Sequence, residues 1–134
     1  MRALVIEDSR DMRAILVRLL SAVGAEVTEV GDAATALAYF DSNELPDIAL
    51  VDWHIPGMSG LELVSTLRAD ERFAAMPIMM VTSESEPEQM LIALDAGADE
   101  YLVKPFTEEA VVEKLRLLGV GEGQPPATVE VPRR

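Results

Sequence analysis

The chain has 134 residues, 49% of them apolar and 26% charged, a net charge of −13 and no cysteine. That size suits one domain with its own core, and the lack of cysteine excludes disulfides, thiolate chemistry and Cys-based metal sites. The acidity argues against direct nucleic-acid binding and favours basic proteins or metal cations as partners, although plain solubility accounts for such an excess equally well.

Ala3-Leu4-Val5-Ile6 is an apolar run suited to a strand buried on both faces, and it stops at Glu7-Asp8. Ser9 is placed to cap a helix carrying Met12, Ile15, Leu16, Leu19, Leu20 and Val23, which Gly24 closes. Residues 25–30 alternate as a half-exposed strand does, and Gly31-Asp32 offers a turn and an N-cap for a helix with Ala33, Ala36, Leu37 and Phe40 on one face. Pro46 precedes a third strand over 47–52, which ends abruptly on Asp52; Pro56, Gly57 and Gly60 then force the chain to bend.

Ser59 caps a third helix with Leu61, Leu63, Val64 and Leu67, fading over 68–72. Ile78 to Val81 forms a fourth strand ending on Thr82, and Pro87 suits the first turn of a fourth helix. Met90, Leu91 and Leu94 supply that helix's apolar side, and Gly97 ends it. Tyr101 to Val103 is a short fifth strand ending on Lys104-Pro105, and Thr107 caps a last helix with Val111, Val112, Leu115 and Leu118. Five βα units predict an α/β domain over 1–118: a parallel sheet, covered on both faces and joined by right-handed crossovers. From Gly119 the composition loses periodicity, so 119–134 reads as a flexible tail. No stretch has the length and apolarity of a membrane span or signal peptide, so a cytoplasmic protein with no membrane association is expected.

In open parallel sheets, ligands bind at the carboxyl ends of the strands. Here those ends carry Glu7, Asp8, Asp52, Thr82 and Lys104. Three carboxylates about 5 Å apart repel by about 3 kcal/mol per pair at an effective dielectric near 20, so a cation is required. An oxygen-only donor set suits a hard ion, Mg²⁺ (or Mn²⁺), and Lys104 supplies a second positive charge.

The set resembles the receiver domain of bacterial two-component response regulators, and in spacing the single-domain chemotaxis regulators of the CheY type. The matching stretches are Glu7-Asp8-Ser9, Asp52 to Gly60, Val81-Thr82-Ser83 and Ala96 to Phe106, within a likeness that spans 2–118. The resemblance implies the flavodoxin-like strand order 2-1-3-4-5 and a cis Lys104-Pro105 bond. It implies that Asp52 accepts a phosphoryl group from a sensor histidine kinase or a histidine phosphotransfer protein. Asp8, Asp52 and the backbone carbonyl of His54 would bind Mg²⁺ directly, and Glu7 mainly through water. Lys104 and Thr82 would meet phosphoryl oxygens, and Tyr101 would change rotamer with Thr82.

The implied output is protein–protein contact through the face of helix four, strand five and helix five, near Glu86, Glu88, Asp95, Asp99, Glu108, Glu109 and Glu113. The protein would be a signalling phosphoacceptor that catalyses only its own phosphorylation and dephosphorylation, with chemotaxis or a multistep phosphorelay as its pathway. No second domain is expected after 118, and a phosphorylation-dependent dimer stays open. His54 and Glu84, each two residues after a site residue, are the candidates for tuning how fast the phosphoryl group is lost. A lone histidine has no partner ligands at zinc spacing.

Simpler readings stand beside these. Acids favour a helix's first turn, Asp52 suits a turn, Thr82 suits a helix entry, Lys104 suits a surface, and Tyr101 suits a core or edge. Three whole-protein alternatives remain. One is a constitutive partner-binding pseudo-receiver and another a receiver fragment of a longer regulator. The third is an Asp-nucleophile phosphatase of the haloacid-dehalogenase type, although His54 stands where that class needs a second Asp.

Overall fold

The computed structural model describes residues 1–120. Five parallel strands, β1 (Arg2–Ile6), β2 (Glu26–Val30), β3 (Ile48–Val51), β4 (Ile78–Thr82) and β5 (Glu100–Val103), form one sheet in the order β2-β1-β3-β4-β5. Between and after them run α1 (Arg10–Ala22), α2 (Ala33–Ser42), α3 (Gly60–Arg68), a 3₁₀ turn (Glu71–Phe73), α4 (Pro87–Ala96) and α5 (Glu108–Leu117). Both the doubly covered parallel sheet and its strand order match the expectation, and Lys104-Pro105 is cis.

Strand side chains alternate between two cores. Leu4, Ile6, Ala49, Val51, Ile78 and Met80 pack with α2, α3 and α4, whereas Ala3, Val5, Ile48, Leu50, Met79 and Val81 pack with α1 and α5. Both faces of the central strands therefore lie in apolar surroundings, which explains why their sequences are unbroken apolar runs. A fully buried Leu or Ile contributes roughly 2 kcal/mol, so this register is held firmly against slippage.

Caps set where the helices start. Ser9, Asp32 and Thr107 accept the amides of Met12, Thr35 and Ala110, and Ser59 forms a reciprocal capping box with Glu62. After α3 the chain is pinned by Arg68, which donates to Gly97 O, Phe73 O and Asp99 Oδ2 at 2.8, 2.6 and 2.7 Å.

One expectation needs correction. Leu91 and Leu94 do not form the buried side of α4: they are 66% and 44% exposed, and Ala93 with Met90 faces the core instead. The small Ala93 side chain lets the helix lie close to the sheet, which fixes its rotation and leaves the larger residues outside. At the other end, Gly119 and Val120 bond back to α5 through Arg116 O and Leu115 O, both at 3.0 Å. The rest of the expected tail, 121–134, lies outside the described residues.

Candidate functional site

Parallel strands bring their carboxyl ends to one edge, and the ladder bonds continue one residue past three of them. Glu7 N donates to Val30 O, Asp52 N to Ile6 O and Lys104 N to Thr82 O, at 3.0, 3.0 and 2.9 Å. Rigid backbone therefore delivers Glu7, Asp52 and Lys104 to a common spot.

There the Lys104 ammonium donates to Glu7 Oε1 at 2.8 Å and to Asp52 Oδ2 at 3.1 Å. Both acids are buried, Glu7 being 2% exposed and Asp52 6%. Glu7 Oε2 accepts Ser9 N at 3.0 Å, and Asp52 Oδ1 accepts His54 N at 3.3 Å. Burial pushes the Glu7 carboxyl above its usual range; Lys104 and the Ser9 amide pull it down, and the neighbouring Asp52 pushes it up again.

Gly60 is dictated by this site. A Cβ there would stand 2.0 Å from Asp52 O, so only glycine lets α3 begin against the backbone of Asp52. Gly60 N in turn donates to Trp53 O at 2.7 Å, closing the loop that carries Asp52 away from the strand.

The other expected residues fall into two groups. Asp8 is exposed, and its carboxylate has no hydrogen-bond or ion-pair partner among the described residues. No three acidic or histidine side chains among those residues cluster closely enough to hold one ion, because Glu7 and Asp52 close on Lys104 instead. Glu7, expected to meet the ion mainly through water, is paired with Lys104.

Thr82, Glu84, His54 and Tyr101, by contrast, are joined. Glu84 N donates to Thr82 Oγ1 at a long 3.4 Å, and Glu84 O accepts the Tyr101 hydroxyl at 2.7 Å. The Glu84 carboxylate meets His54 Nε2 at 2.6 Å, a bond that holds its pKa below the usual value, with further help from Gln89. Tyr101 is buried, which pushes its hydroxyl pKa up, and the Glu84 charge adds to this. The sequence placed His54 and Glu84 separately around the acceptor, and only the fold shows them paired. Trp53 packs at the edge of the core beside them.

The donor set fits a hard cation. Glu7, Asp8 and Asp52 offer only oxygen donors; two of them are buried on a single ammonium and Asp8 stands beside them with no partner among the described residues, leaving an excess of negative charge that a divalent ion offsets.

Comparison with known proteins points the same way. The family model for the response regulator receiver domain matches residues 3–116. Chemotaxis protein CheY1 of Helicobacter pylori is 40% identical over 119 residues, covering 88% of this chain and 96% of that protein. A response regulator from Chloroflexus aurantiacus superposes with a TM-score of 0.83 at 27% identity, over 87% of this chain and 95% of that one. The receiver domain of the sensor histidine kinase PA1611 from Pseudomonas aeruginosa, whose active-site cleft coordinates magnesium, superposes with a TM-score of 0.79 at 26% identity, over 89% of this chain and 98% of that one.

Proposed function

The chain belongs to the response regulator receiver family, whose members act in two-component phosphorelays, and from that premise we propose that Asp52 is the phosphoacceptor. The observation that carries this reading is the Lys104 ammonium, delivered by β5, held between Glu7 and Asp52 at the ends of the neighbouring strands β1 and β3. An oxygen of Asp52 attacks the phosphorus of a phosphohistidine on a sensor histidine kinase or histidine phosphotransfer protein. The N–P bond breaks as the O–P bond forms, and the leaving imidazole nitrogen keeps the electron pair and takes up a proton.

The carboxylates of Glu7, Asp8 and Asp52, with the His54 carbonyl, would hold Mg²⁺ (or Mn²⁺). When bound, the ion offsets charge on the phosphoryl oxygens. Lys104 exchanges its bond to Asp52 for one to a phosphoryl oxygen. Thr82 gives up its long bond from Glu84 N and donates its hydroxyl to another. The loop carrying Glu84 moves with Thr82, and Tyr101 responds because its hydroxyl is bonded to that loop. His54 and Glu84, bridged at the rim, limit the approach of water to the phosphoryl bond.

Residues 1–118 act as the receiver domain, with the output surface formed by α4, β5 and α5. Leu91, Ile92 and Leu94 stand exposed on α4 beside Glu88 and Asp95, a combination suited to a basic partner with apolar anchors. Asp99 is withdrawn from that surface by its bond to Arg68. No helix among the described residues is long and apolar enough to cross a membrane; the likeness to a chemotaxis protein supports a cytoplasmic location beside the kinase. The likeness to a chemotaxis protein over nearly its whole length makes chemotaxis the pathway to test first.

The test is incubation with acetyl phosphate and Mg²⁺, read by intact mass. One phosphoryl group per chain, absent in Asp52→Ala, is expected. Its absence from the native chain would sink the reading in favour of constitutive partner binding, and turnover of unrelated phosphomonoesters would favour a phosphatase.

A further inference from the structure

We infer that Arg13 is a positioning residue for the acidic loop: its guanidinium, threaded between Gly31 and the carbonyls of Glu7 and Asp8, sets where these two carboxylates stand and so how well they hold a cation. The inference rests on reading the Glu7–Asp52 site as a metal-binding site.

The backbone creates the need for this residue. The ladder between β1 and β2 ends with the bond from Glu7 N to Val30 O, and the first backbone-to-backbone bond of α1 onto the loop is Arg13 N to Ser9 O. Between these two bonds lies the turn Glu7-Asp8-Ser9, which carries two of the proposed ligands. Arg13 Nη1 reaches back from the first turns of α1 and donates to Glu7 O at 2.9 Å and Asp8 O at 3.3 Å. Its Nε is held by Glu29 Oε1 on β2 at 3.2 Å. One side chain thus ties α1 and β2 to the loop that both flank.

Charge alone does not explain the arrangement. Arg13 is 22% exposed and Glu29 50%, and ion pairs this wet contribute little to stability. What the guanidinium adds is shape: a planar fork directs Nε to one partner and Nη1 to two others at once, which a lysine ammonium does not reproduce. With both carbonyls held, the carboxylate of Glu7 turns inward to Lys104, while that of Asp8 stays on the open side of the loop. Gly31 leaves room for the fork, since a Cβ there would stand 3.1 Å from Arg13 Nη1. Gly31→Ala therefore nudges the guanidinium by tenths of an ångström without removing it.

The test is Mg²⁺ titration of the full chain, followed by Trp53 fluorescence, with thermal unfolding in parallel. Arg13→Lys is expected to raise the half-saturating Mg²⁺ concentration about tenfold, the usual scale for residues that orient a metal ligand. The phosphorylation rate from acetyl phosphate at saturating Mg²⁺ stays near native. Gly31→Ala shifts the half-saturation less, and adds little on top of Arg13→Lys because the fork is already gone. Arg18→Lys, exposed on the same helix, shifts nothing. Unchanged half-saturation in both Arg13→Lys and Gly31→Ala, with or without a drop in thermal stability, overturns the inference and leaves Arg13 a structural tie. Should Arg13→Lys fail to fold, Gly31→Ala decides alone. A native chain that shows no Mg²⁺ response overturns the metal-site reading, and this inference with it.

Discussion

Replacing Lys104 by methionine removes the one cation that lies between Glu7 and Asp52 while keeping much of its aliphatic bulk. Both carboxylates are then buried together without a counter-charge. Breaking a buried ion pair from one side costs about 3–5 kcal/mol. Lys104 is 16% exposed, so water enters part of the vacated space and the lower end, about 3 kcal/mol, is expected. That is a large share of the 5–15 kcal/mol that typically holds a domain together, yet it leaves a folded protein to measure.

The physics is checked by rescue. Glu7→Gln in the same chain removes one of the two facing charges and should recover more than half of the loss. The pH dependence has a definite sign. The Glu7 carboxyl is raised above 4.5 by burial, and Lys104 is the largest influence lowering it, so losing Lys104 raises it further. A carboxyl whose folded pKa is raised costs nothing below its unfolded value and destabilises as pH rises through its folded value. The Lys104→Met deficit should therefore be full above the raised folded value and shrink as pH falls toward 4.5. Urea unfolding across this range, with and without Mg²⁺, measures it, and added Mg²⁺ should also restore stability. A neutral-pH loss below about 1 kcal/mol, or no recovery on adding Glu7→Gln, would refute the picture of two carboxylates restrained by one ammonium.

Four further outcomes follow from named contacts. Tyr101→Phe deletes the bond to Glu84 O and should cost about 1 kcal/mol in urea unfolding; partner binding should change more than the rate of phosphorylation from acetyl phosphate. Gly60→Ala pushes a Cβ into Asp52 O, so the loop must shift; loss of several-fold in phosphorylation rate along with about 2 kcal/mol or more of stability is expected. Glu84→Ala and His54→Ala should each shorten the phosphoryl lifetime, measured by decay of the phosphorylated mass, and the double variant should go no further than the faster single one. Asp32 caps α2 through Thr35 N, and that bond lowers its carboxyl below 3.8. The stability lost in Asp32→Ala should be full above 3.8 and vanish as pH falls through the lower folded value.

The sequence carried the sheet because its strands are apolar runs with polar stops, and a stop at a strand end is also a place in space. Glu7, Asp52, Thr82 and Lys104 were legible for that reason: knowing which strand each residue ends was enough to put it on the rim. The caps Ser9, Asp32, Ser59 and Thr107 were legible because capping is local chemistry. What stayed hidden depends on side-chain reach across the fold. The bond between His54 and Glu84 spans thirty positions of sequence, and nothing in either neighbourhood announces it. Arg13 drew no reading from the sequence, because its target is a pair of backbone carbonyls, which every sequence has. The rotation of α4 was misread because periodicity weighs Leu91 and Leu94 as the most apolar residues. Packing instead chose the small Ala93 for the contact with the sheet.

That misreading bears on how a signal leaves the site. A helix that turns Leu91, Ile92 and Leu94 outward keeps apolar surface in water, an arrangement that a domain with a free choice of sequence would avoid. The covered side of the same helix offers Met90 and Ala93, and its first residue follows directly from the loop that holds Glu84. Phosphorylation adds about −1.5 to −2 charges to a site where one ammonium already faces two carboxylates. On the proposed reading Lys104 and Thr82 answer this charge, and Thr82 begins from a long, weak bond that is cheap to break. Moving a two-state surface from almost all off to almost all on requires about 5.5 kcal/mol of differential stabilisation. A new charge-assisted bond from Thr82 contributes about 1.5–3 kcal/mol of that amount, whereas Lys104 exchanges one such bond for another. The partner must supply the rest. Leu91→Arg tests this division: at 66% exposure it should leave stability within about 0.5 kcal/mol and phosphorylation unchanged, while binding of the phosphorylated protein to its target falls at least tenfold. If target binding survives Leu91→Arg, the exposed face of α4 is not where the signal is read.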